Sequence, residues 1–187
     1  MTPLIPTWIE TRRLILRTWQ PADRPVFAEI NSDPEVTEYV AGHPLTRAES
    51  DAIVDRAVCS WDERGYGWYA VVSRDAGELL GFCGLSHHRV LPAEVEVGWR
   101  LARHAWGRGL ATEAAIVCRD LAFDVLGLEL LISVTIEANT RSLRVMQKLG
   151  MRPWRTTPFE QWALWIWAMT PADRDPDGTE TEPSRSS

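Results

Sequence analysis

Residues 104–114, "HAWGRGLATEA", constrain the possible fold more than any other stretch of the chain. The preceding segment, "EVEVGWRLA", alternates apolar and polar residues, which is typical of a strand. Strong helix formers follow the two glycines, so the sequence predicts a strand, a glycine loop and a helix in succession. The first amides of a helix have no intrahelical partner and carry the positive end of its dipole. Such a loop indicates a site for a phosphate group.

The spacing of the loop excludes one kind of phosphate site and leaves others open. A P-loop requires Lys and then Ser or Thr after its last glycine, and no such pair follows Gly109. A dinucleotide fold requires a third small residue where this chain has Thr112, although Glu137 stands where that fold places its ribose-binding acid. Coenzyme A, whose pyrophosphate sits on the same kind of helix start, is the other candidate. A turn that binds nothing is also compatible with the glycines by themselves.

Composition narrows the classes of protein. A chain of 187 residues suits one well-packed domain. The net charge of -6, from 20 basic and 26 acidic residues, gives no support to a nucleic-acid binder. No apolar run approaches the ~20 residues of a membrane span, and the N-terminus lacks the pattern of a secretory signal. Three cysteines without metal-type or redox-type spacing complete the expectation of a cytoplasmic protein with no metal.

The hydrophobic pattern predicts one mixed α/β domain over residues 1–170. The predicted order is β, α, α, β, β, β, loop, α, β, α, β, beginning with a strand at 12–19. Thr46 and Glu49 form a capping box that begins a helix ending near Gly65. "WYAVVS" and "LLGFCGL" predict a hairpin. Residues 171–187 form an acidic tail that we expect to be disordered.

Two further patterns predict how elements pack. After the glycine loop, a helical stripe ends at Gly127 and comprises Leu110, Ala114, Val117, Leu121 and Val125. In the last strand, "FEQWALWIWAMT", Trp165 and Trp167 share one face and Trp162 lies on the other. Core packing is the simpler role for these tryptophans, and homodimerisation through this strand is the alternative. Cys83 and Cys118 lie in apolar periodic segments and are expected in the core.

Several segments together resemble a known family. "ETRRLILRTWQPAD", "GELLGFCGL", "EVGWRLARHAWGRGLATEA" and "IEANTRSLRVMQKLGM" resemble, in this order, the motifs of GNAT acetyltransferases, and most closely those of the RimJ/RimL type. The resemblance covers roughly residues 8 to 170. It implies the GNAT fold, a twisted, mixed and mostly antiparallel sheet with splayed fourth and fifth strands and flanking helices. It also implies acetyl-CoA as cosubstrate, direct transfer to an amine and no metal.

The resemblance also implies which residues hold the cofactor. The strand at 94–102 becomes the fourth, and backbone groups around Trp99 and Leu101 would pair with pantetheine as a neighbouring strand does. Amides of the glycine loop would hold the pyrophosphate, and the family's N-x-x-S would lie beside the thioester. The residues expected to bind cofactor are therefore Trp99, Leu101, Trp106, Gly107, Arg108, Gly109, Leu110, Ala111, Thr112, Asn139 and Ser142.

Acetyl transfer to an amine requires a base for the ammonium proton and an acid for the departing thiolate. Glu96 is the candidate base, with an ordinary strand carboxylate as the alternative. Ser142 is the candidate acid, because the tyrosine that many GNAT enzymes use is not located in this sequence; a hydroxyl that merely contacts the helix start is the alternative. His87 and His88 point opposite ways, so at most one of them faces the acceptor.

The acceptor is expected to be a primary amine. The RimJ/RimL resemblance favours an N-terminal α-amine of a protein or peptide, and a small molecule such as an amino acid, polyamine or aminoglycoside is the alternative. Two other classes stay open at this stage: a catalytically silent acyl-CoA-binding protein and a nicotinamide-dependent oxidoreductase. Related enzymes often have more chain than the short segment 151–159, which lies near the acceptor.

Overall fold

An eight-stranded sheet forms the centre of the molecule. The structure, a computed structural model, describes residues 4–88, 91–159 and 162–174. The strands are β1 Trp8–Glu10, β2 Leu14–Arg17, β3 Trp68–Ser73, β4 Leu79–His88, β5 Leu91–Leu101, β6 Leu131–Ile136, β7 Arg152–Phe159 and β8 Trp162–Met169. Their order in the sheet is β1-β2-β3-β4-β5-β6-β8-β7, and the pair β5–β6 is parallel whereas the others are antiparallel.

Helices cover both faces of this sheet. They are α1 Asp23–Ser32, α2 Pro34–Thr37, α3 Arg47–Arg64, α4 Leu110–Asp120 and α5 Thr140–Lys148. On one face, α4 and α5 pack with Val97 and Leu85 in the larger hydrophobic cluster, through residues such as Ala114 and Met146. On the other face, α1 and α3 bury Phe82 and its neighbours in a second cluster. The mixed α/β fold expected from the sequence is confirmed, with helices on both faces.

The helix ends follow the predicted chemistry. Thr46 Oγ1 accepts the amide of Glu49 while the Glu49 carboxylate accepts the amide of Thr46, so the capping box is present. Gly65 ends α3 in the left-handed region at φ 73°, where glycine has no steric penalty. The buried sulfur atoms of Cys83 and Cys118 lie 3.8 Å apart, as expected of core cysteines.

Two strands were missing from the prediction. β1 has three residues and pairs with β2 at the sheet margin. β7 is mostly exposed and contains Pro153 and Pro158, residues that argue against a strand in sequence but are tolerated at an edge. Because β1 adds one strand, the strand predicted as the fourth is β5. β8 lies between β6 and β7, so its backbone is paired on both sides and it is not an edge of the sheet; homodimerisation through this strand stays a prediction.

The helix after the glycine loop does not continue as predicted. α4 ends at Asp120, and Leu121–Val125 forms a π-helical turn in which the amide of Leu126 donates to the carbonyl of Leu121. A π-turn adds a residue per turn and rotates the following side chains. Val125 is consequently 52% exposed, whereas Ala122 and Phe123 are buried in its place.

The C-terminal boundary also needs a correction. Residues Pro171–Arg174, placed in the disordered tail by the sequence pattern, form a short 3₁₀ helix. Asp173 Oδ2 accepts the amide of Thr170, and Arg174 contacts Asp124 at 2.6 Å. These residues thus belong to the folded domain, and the rest of the predicted tail, 175–187, lies outside the described residues. None of the described helices combines the length and apolar character needed to cross a bilayer.

Candidate active site

The sheet opens into a fork between β5 and β6. Within the described residues these strands pair at one position, Glu96 with Ile132, and then diverge. The backbone amide of Val134, which has passed the pairing point, donates to Glu96 Oε1 at 3.3 Å instead. The splayed strands predicted from the family resemblance are therefore present, and Glu96 lies at their junction.

The open edge of β5 presents unpaired backbone groups to the fork. The amide of Ala102 donates to Leu80 of β4, and since strand groups alternate in direction, those of Trp99 and Leu101 face the fork. The carbonyl of Leu101 already accepts the indole N–H of Trp106 at 2.8 Å. The strand edge available to a ligand is therefore centred on Trp99, and Leu101 contributes its amide.

The glycine loop delivers a second set of free amides. Gly107 and Gly109 adopt φ 71° and 75°, and Gly109 caps α4 without a side-chain hydrogen bond. A Cβ on Gly107 would meet no atom within 4 Å, so the backbone is approachable there. The amides that begin α4 point at this space with the positive end of the helix dipole, an arrangement suited to phosphate oxygens.

A clamp from the N-terminal strands fixes the loop. Arg13 Nε contacts Glu113 Oε2 at 2.6 Å, and Arg13 Nη1 donates to the carbonyl of Arg108 at 2.7 Å. Thr11 Oγ1 donates to the same carboxylate at 2.6 Å. These bonds lower the pKa of Glu113 against the opposing effect of its burial. Sequence reasoning missed the clamp because about a hundred residues separate its partners, and no local pattern marks them.

Fork and loop together line a cleft of about 460 Å³. Ten of the eleven residues predicted to bind cofactor line it, namely Trp99, Leu101, Trp106, Gly107, Gly109, Leu110, Ala111, Thr112, Asn139 and Ser142. Arg108 does not line it in the described structure, and its side chain is exposed. Arg108 is therefore the one predicted cofactor-binding residue that the structure does not bring to the cleft.

Positive charge reaches the cleft from α5 instead. Arg141, Arg144 and Lys148 line it, whereas Glu35 is the one carboxylate among its described lining residues. The guanidinium carbon of Arg141 lies 4.1 Å from the centre of the Trp106 ring, a cation–π contact. These three cationic residues are spaced i, i+3 and i+7, which places them on one face of a helix. They did not stand out in the sequence because arginine is common throughout this chain.

Glu96 occupies a desolvated position at the fork. Burial raises the pKa of its carboxyl to about 8, and the hydrogen bond from Val134 acts in the opposite direction. Burial penalises the ionised form because the charge loses its water. The carboxyl therefore exchanges its proton near neutral pH, which suits a general base.

Besides Thr112, two residues bring a hydroxyl group to the cleft, Ser142 and Tyr39. The amide of Ser142 donates to Asn139 Oδ1 at 3.2 Å, so Asn139 caps α5 and the Ser142 hydroxyl is not needed as a cap. Tyr39, which follows α2, also lines the cleft and was missed as a site residue. Burial and then Glu38 raise the pKa of the Tyr39 phenol, which keeps its proton at neutral pH. No sequence motif surrounds Tyr39, so only the fold could reveal it.

The predicted histidines lie away from this cleft. His87 Nε2 lies 2.9 Å from the hydroxyl of Tyr66, and His87 Nδ1 lies 2.9 Å from the carbonyl of Pro92. His87 instead lines a smaller pocket of about 250 Å³ between α3 and β4. Its neighbour Ser86 also lines that pocket and is the register partner of Glu96. The smaller pocket therefore approaches the fork on the side of the sheet where α3 packs.

Comparison with known proteins agrees with this geometry. Residues 13–152 match the family model described as Acetyltransferase (GNAT) domain. YkkB of Bacillus subtilis strain 168 is 32% identical over 153 residues, which cover 78% of this chain and 85% of YkkB. A solved acetyltransferase from Agrobacterium tumefaciens strain C58 has a TM-score of 0.78 at 29% identity, covering 88% of this chain and 94% of that one.

One more solved structure is similar to this chain in fold. The ribosomal-protein-S5-alanine acetyltransferase from Vibrio fischeri has a TM-score of 0.73 at 16% identity, covering 91% of this chain and 100% of that one. The chain belongs to the GNAT acetyltransferase family and is an acetyl-CoA-dependent acetyltransferase. The nicotinamide-dependent alternative that the glycine loop left open is thereby excluded.

Proposed function

We propose that this protein transfers the acetyl group of acetyl-CoA directly to a primary amine, with Glu96 as the general base. The observation that supports this most strongly is the position of Glu96. Its carboxyl, with a pKa raised to about 8, stands where β5 and β6 separate, three residues before Trp99, although Glu96 is not itself among the described residues that line the cleft.

The cofactor-binding roles follow from the donors that the cleft offers. The amides of Gly109, Leu110 and Ala111 would hold the pyrophosphate, supported by the cations of α5. The free edge of β5 at Trp99 would hold the pantetheine amides as a neighbouring strand would. Bound acetyl-CoA supplies an acetyl thioester, whose C–S bond breaks as the new C–N bond forms.

Glu96 would make the amine nucleophilic. An alkylammonium is mostly protonated at neutral pH and has no lone pair with which to attack. Glu96 accepts one ammonium proton, directly or through a water, and returns it to solvent after transfer. The amide of Trp99, which points into the fork, is the donor placed to stabilise the oxyanion that develops on the acetyl carbonyl.

Attack leaves a second surplus proton on the acylated nitrogen, which is lost to solvent, and Ser142 would provide the proton that the departing sulfur requires. Its hydroxyl lines the cleft beside the Asn139 cap and would donate a proton to the departing sulfur, recovering one from solvent. Tyr39 is the alternative donor, since its phenol lines the opposite wall and stays protonated.

The class of amine that accepts the acetyl group is a separate part of the proposal. The RimJ/RimL-type pattern suggests a protein or peptide N-terminal α-amine, and a small-molecule amine is the alternative. The Vibrio fischeri neighbour, at 16% identity, supports the shared fold and does not choose between them.

The first experiment compares the melting temperature with acetyl-CoA, CoA and NADH. A ligand at 100 times its Kd adds about 2.7 kcal/mol to the free energy of unfolding, which raises Tm by roughly 5–11 °C in a domain of this size. We expect this rise with acetyl-CoA and CoA, followed by CoA release when primary amines are added. A rise without release from any amine would indicate a silent acyl-CoA-binding protein and contradict the proposal.

A further inference from the structure

We propose that the acceptor is an amine that carries a carboxylate, and that Arg100 and Trp68 bind this carboxylate on the face of β5 opposite α4. The inference rests on the proposed function, because the bound amine would be acetylated by the chemistry at Glu96. The two side chains extend from the face of the sheet opposite Trp99, and Arg100 also borders the large cleft, beside Glu35.

Arg100 is a cation without a carboxylate partner in the described structure. Its Nη1 donates to Asn31 Oδ1 at 2.7 Å, and Asn31 is itself buried and bonded to Ser50. Its Nε is buried and has no hydrogen-bond partner among the described residues. Burial, and secondarily the like charge of Arg56, lower the pKa of Arg100 to about 10. A desolvated guanidinium in this state is costly unless an anion joins it.

Trp68 adds a second unpartnered donor beside Arg100. Its ring stacks on Phe82 with the centroids 4.6 Å apart, and the Arg100 guanidinium carbon lies 5.6 Å from the same Phe82 ring. The Trp68 indole Nε1 is buried and, within the described residues, bonds to nothing. A Cβ on Gly98 would lie 3.8 Å from Nε1, so the indole N–H lies near the bare backbone of Gly98.

The free N–H groups of Arg100 and Trp68 match a carboxylate in their number and in their geometry. Because Asn31 occupies Nη1, the Nε and Nη2 edge of Arg100 remains, and this edge presents the two parallel N–H donors that a carboxylate accepts. Gly98 stands between Arg100 and Glu96 on one face of β5, and its missing side chain leaves room there. The anion would bind at Arg100 and the amine would extend toward Glu96.

The charge of the surroundings favours the same ligand. Arg100 itself lines the large cleft, whereas Trp68 lines the neighbouring pocket of about 250 Å³. That pocket is also lined by Arg56, Arg64 and His87, and by no carboxylate among the described residues, although Arg64 pairs with Glu63 at 3.2 Å. A cationic approach attracts acids and repels polycations. Polyamines and aminoglycosides are therefore disfavoured, and a neutral peptide N-terminus would leave Arg100 uncompensated.

Matched acceptors test the inference. Each of a set of amino acids, including L-leucine, β-alanine and 4-aminobutyrate, is assayed with acetyl-CoA beside its carboxamide and its decarboxylated amine. We expect kcat/KM for at least one acid to exceed that of its carboxamide by tenfold or more. Arg100→Met should lower that kcat/KM about tenfold to a hundredfold and leave the carboxamide's value unchanged.

Control variants separate recognition from folding. Arg47→Met removes an exposed arginine paired with Asp51 and should change neither acceptor series. Trp68→Phe keeps the aromatic ring, removes the N–H, and should lower kcat/KM for the acid a few-fold. Arg100→Lys keeps the charge without the parallel donors, and should recover part of the loss in Arg100→Met.

Calorimetric titration of the CoA-bound protein with the same acids distinguishes failure of the inference from failure of the proposed function. If carboxamides react as well as acids, the inference is overturned and amine acetylation stands. If no amine reacts but acids bind in an Arg100-dependent manner, the inference stands and the proposed function fails. Acids that neither react nor bind overturn the inference.

Discussion

The two sides of β5 differ in what they are built from. The cofactor cleft consists largely of backbone amides, delivered by a loop and helix start that are contiguous in sequence. The opposite face consists of side chains such as Glu96 and Arg100 of β5 and Trp68 of β3, which carry desolvated polar atoms. A backbone site tolerates most side-chain substitutions but depends on chain conformation. A side-chain site depends on the identity of each residue, so the two faces should respond differently to mutation.

The largest effect is expected at Glu96. Glu96→Gln removes the base and should lower kcat about 10²- to 10⁴-fold, while the Kd of acetyl-CoA changes less than twofold. The wild-type kcat/KM should rise with pH to an inflection near pH 8 that the variant lacks. Steady-state kinetics and calorimetry measure both. Glu94→Gln, two residues earlier on the strand face and 3.5 Å from Arg155, is the control and should retain activity.

The same carboxyl should affect stability in a pH-dependent way. The pKa of Glu96 is about 8 in the folded protein, against an ordinary value of 4.5. Between these pH values the folded state holds a proton that the unfolded state releases, so this group's contribution to stability falls as pH rises. The Tm of Glu96→Gln relative to wild type should therefore increase from pH 5 to pH 8. A constant difference in Tm would show that the carboxyl is not desolvated.

A smaller effect should identify the proton donor to sulfur. Ser142→Ala should lower kcat about tenfold to a hundredfold with little change in the KM of acetyl-CoA, because the hydroxyl acts after binding. Tyr39→Phe is the matched test of the opposite wall and should leave kcat unchanged. The reverse result would assign the role to Tyr39, and two unchanged values would remove both hydroxyls from the chemistry.

The cofactor side should respond to backbone strain. Gly109→Ala forces a Cβ onto a residue at φ 75°, which costs about 1–2 kcal/mol and displaces the amides that begin α4. We expect acetyl-CoA to bind roughly threefold to tenfold more weakly by calorimetry. Gly77→Ala carries the same strain at φ 66° in the β3–β4 turn, with nothing within 4 Å, and should lower Tm similarly without affecting binding. Equal weakening in both variants would mean that only stability had changed.

The smallest effect is expected from a single cation of the cleft. Lys148→Met should weaken acetyl-CoA binding about twofold to fourfold at low ionic strength, because an exposed charge contributes little and is screened. The difference from wild type should shrink in 0.5 M salt, whereas that of Gly109→Ala should persist. A salt-independent loss would indicate a packing role for the Lys148 side chain.

The residues of the cleft could be brought together from sequence because their signals are local. The alternation of β5, the two glycines and the Asn139 cap each lie within a few residues, and they line one cleft in the fold. The number of strands was wrong because β1 is short and β7 contains prolines that only an edge accepts. The π-turn was missed because no hydrophobic period marks it.

The residues on the face of β5 opposite α4 could not be predicted in the same way. Glu96 was found because the family resemblance pointed to it. Arg100 was hidden among 19 arginines, and its distinction is a buried Nε without a hydrogen-bond partner among the described residues, beside the bond from Nη1 to Asn31 of α1. Trp68 is likewise one of 10 tryptophans, and only the fold shows that its indole N–H is unpartnered. Such features arise from tertiary packing, where residues distant in sequence decide each other's environment.

The clamp of Arg13 on Glu113 has a consequence for biosynthesis. The N-terminal strands leave the ribosome first, yet β2 pairs with β3 at residues 70–73 and the clamp closes only on residue 113. β2 therefore has no partner besides β1 until β3 has been translated, and the clamp cannot close before Glu113 has been added. Until then Arg13 cannot hold the carbonyl of Arg108, so the glycine loop gains this support only after the sequence on both of its sides has been synthesised.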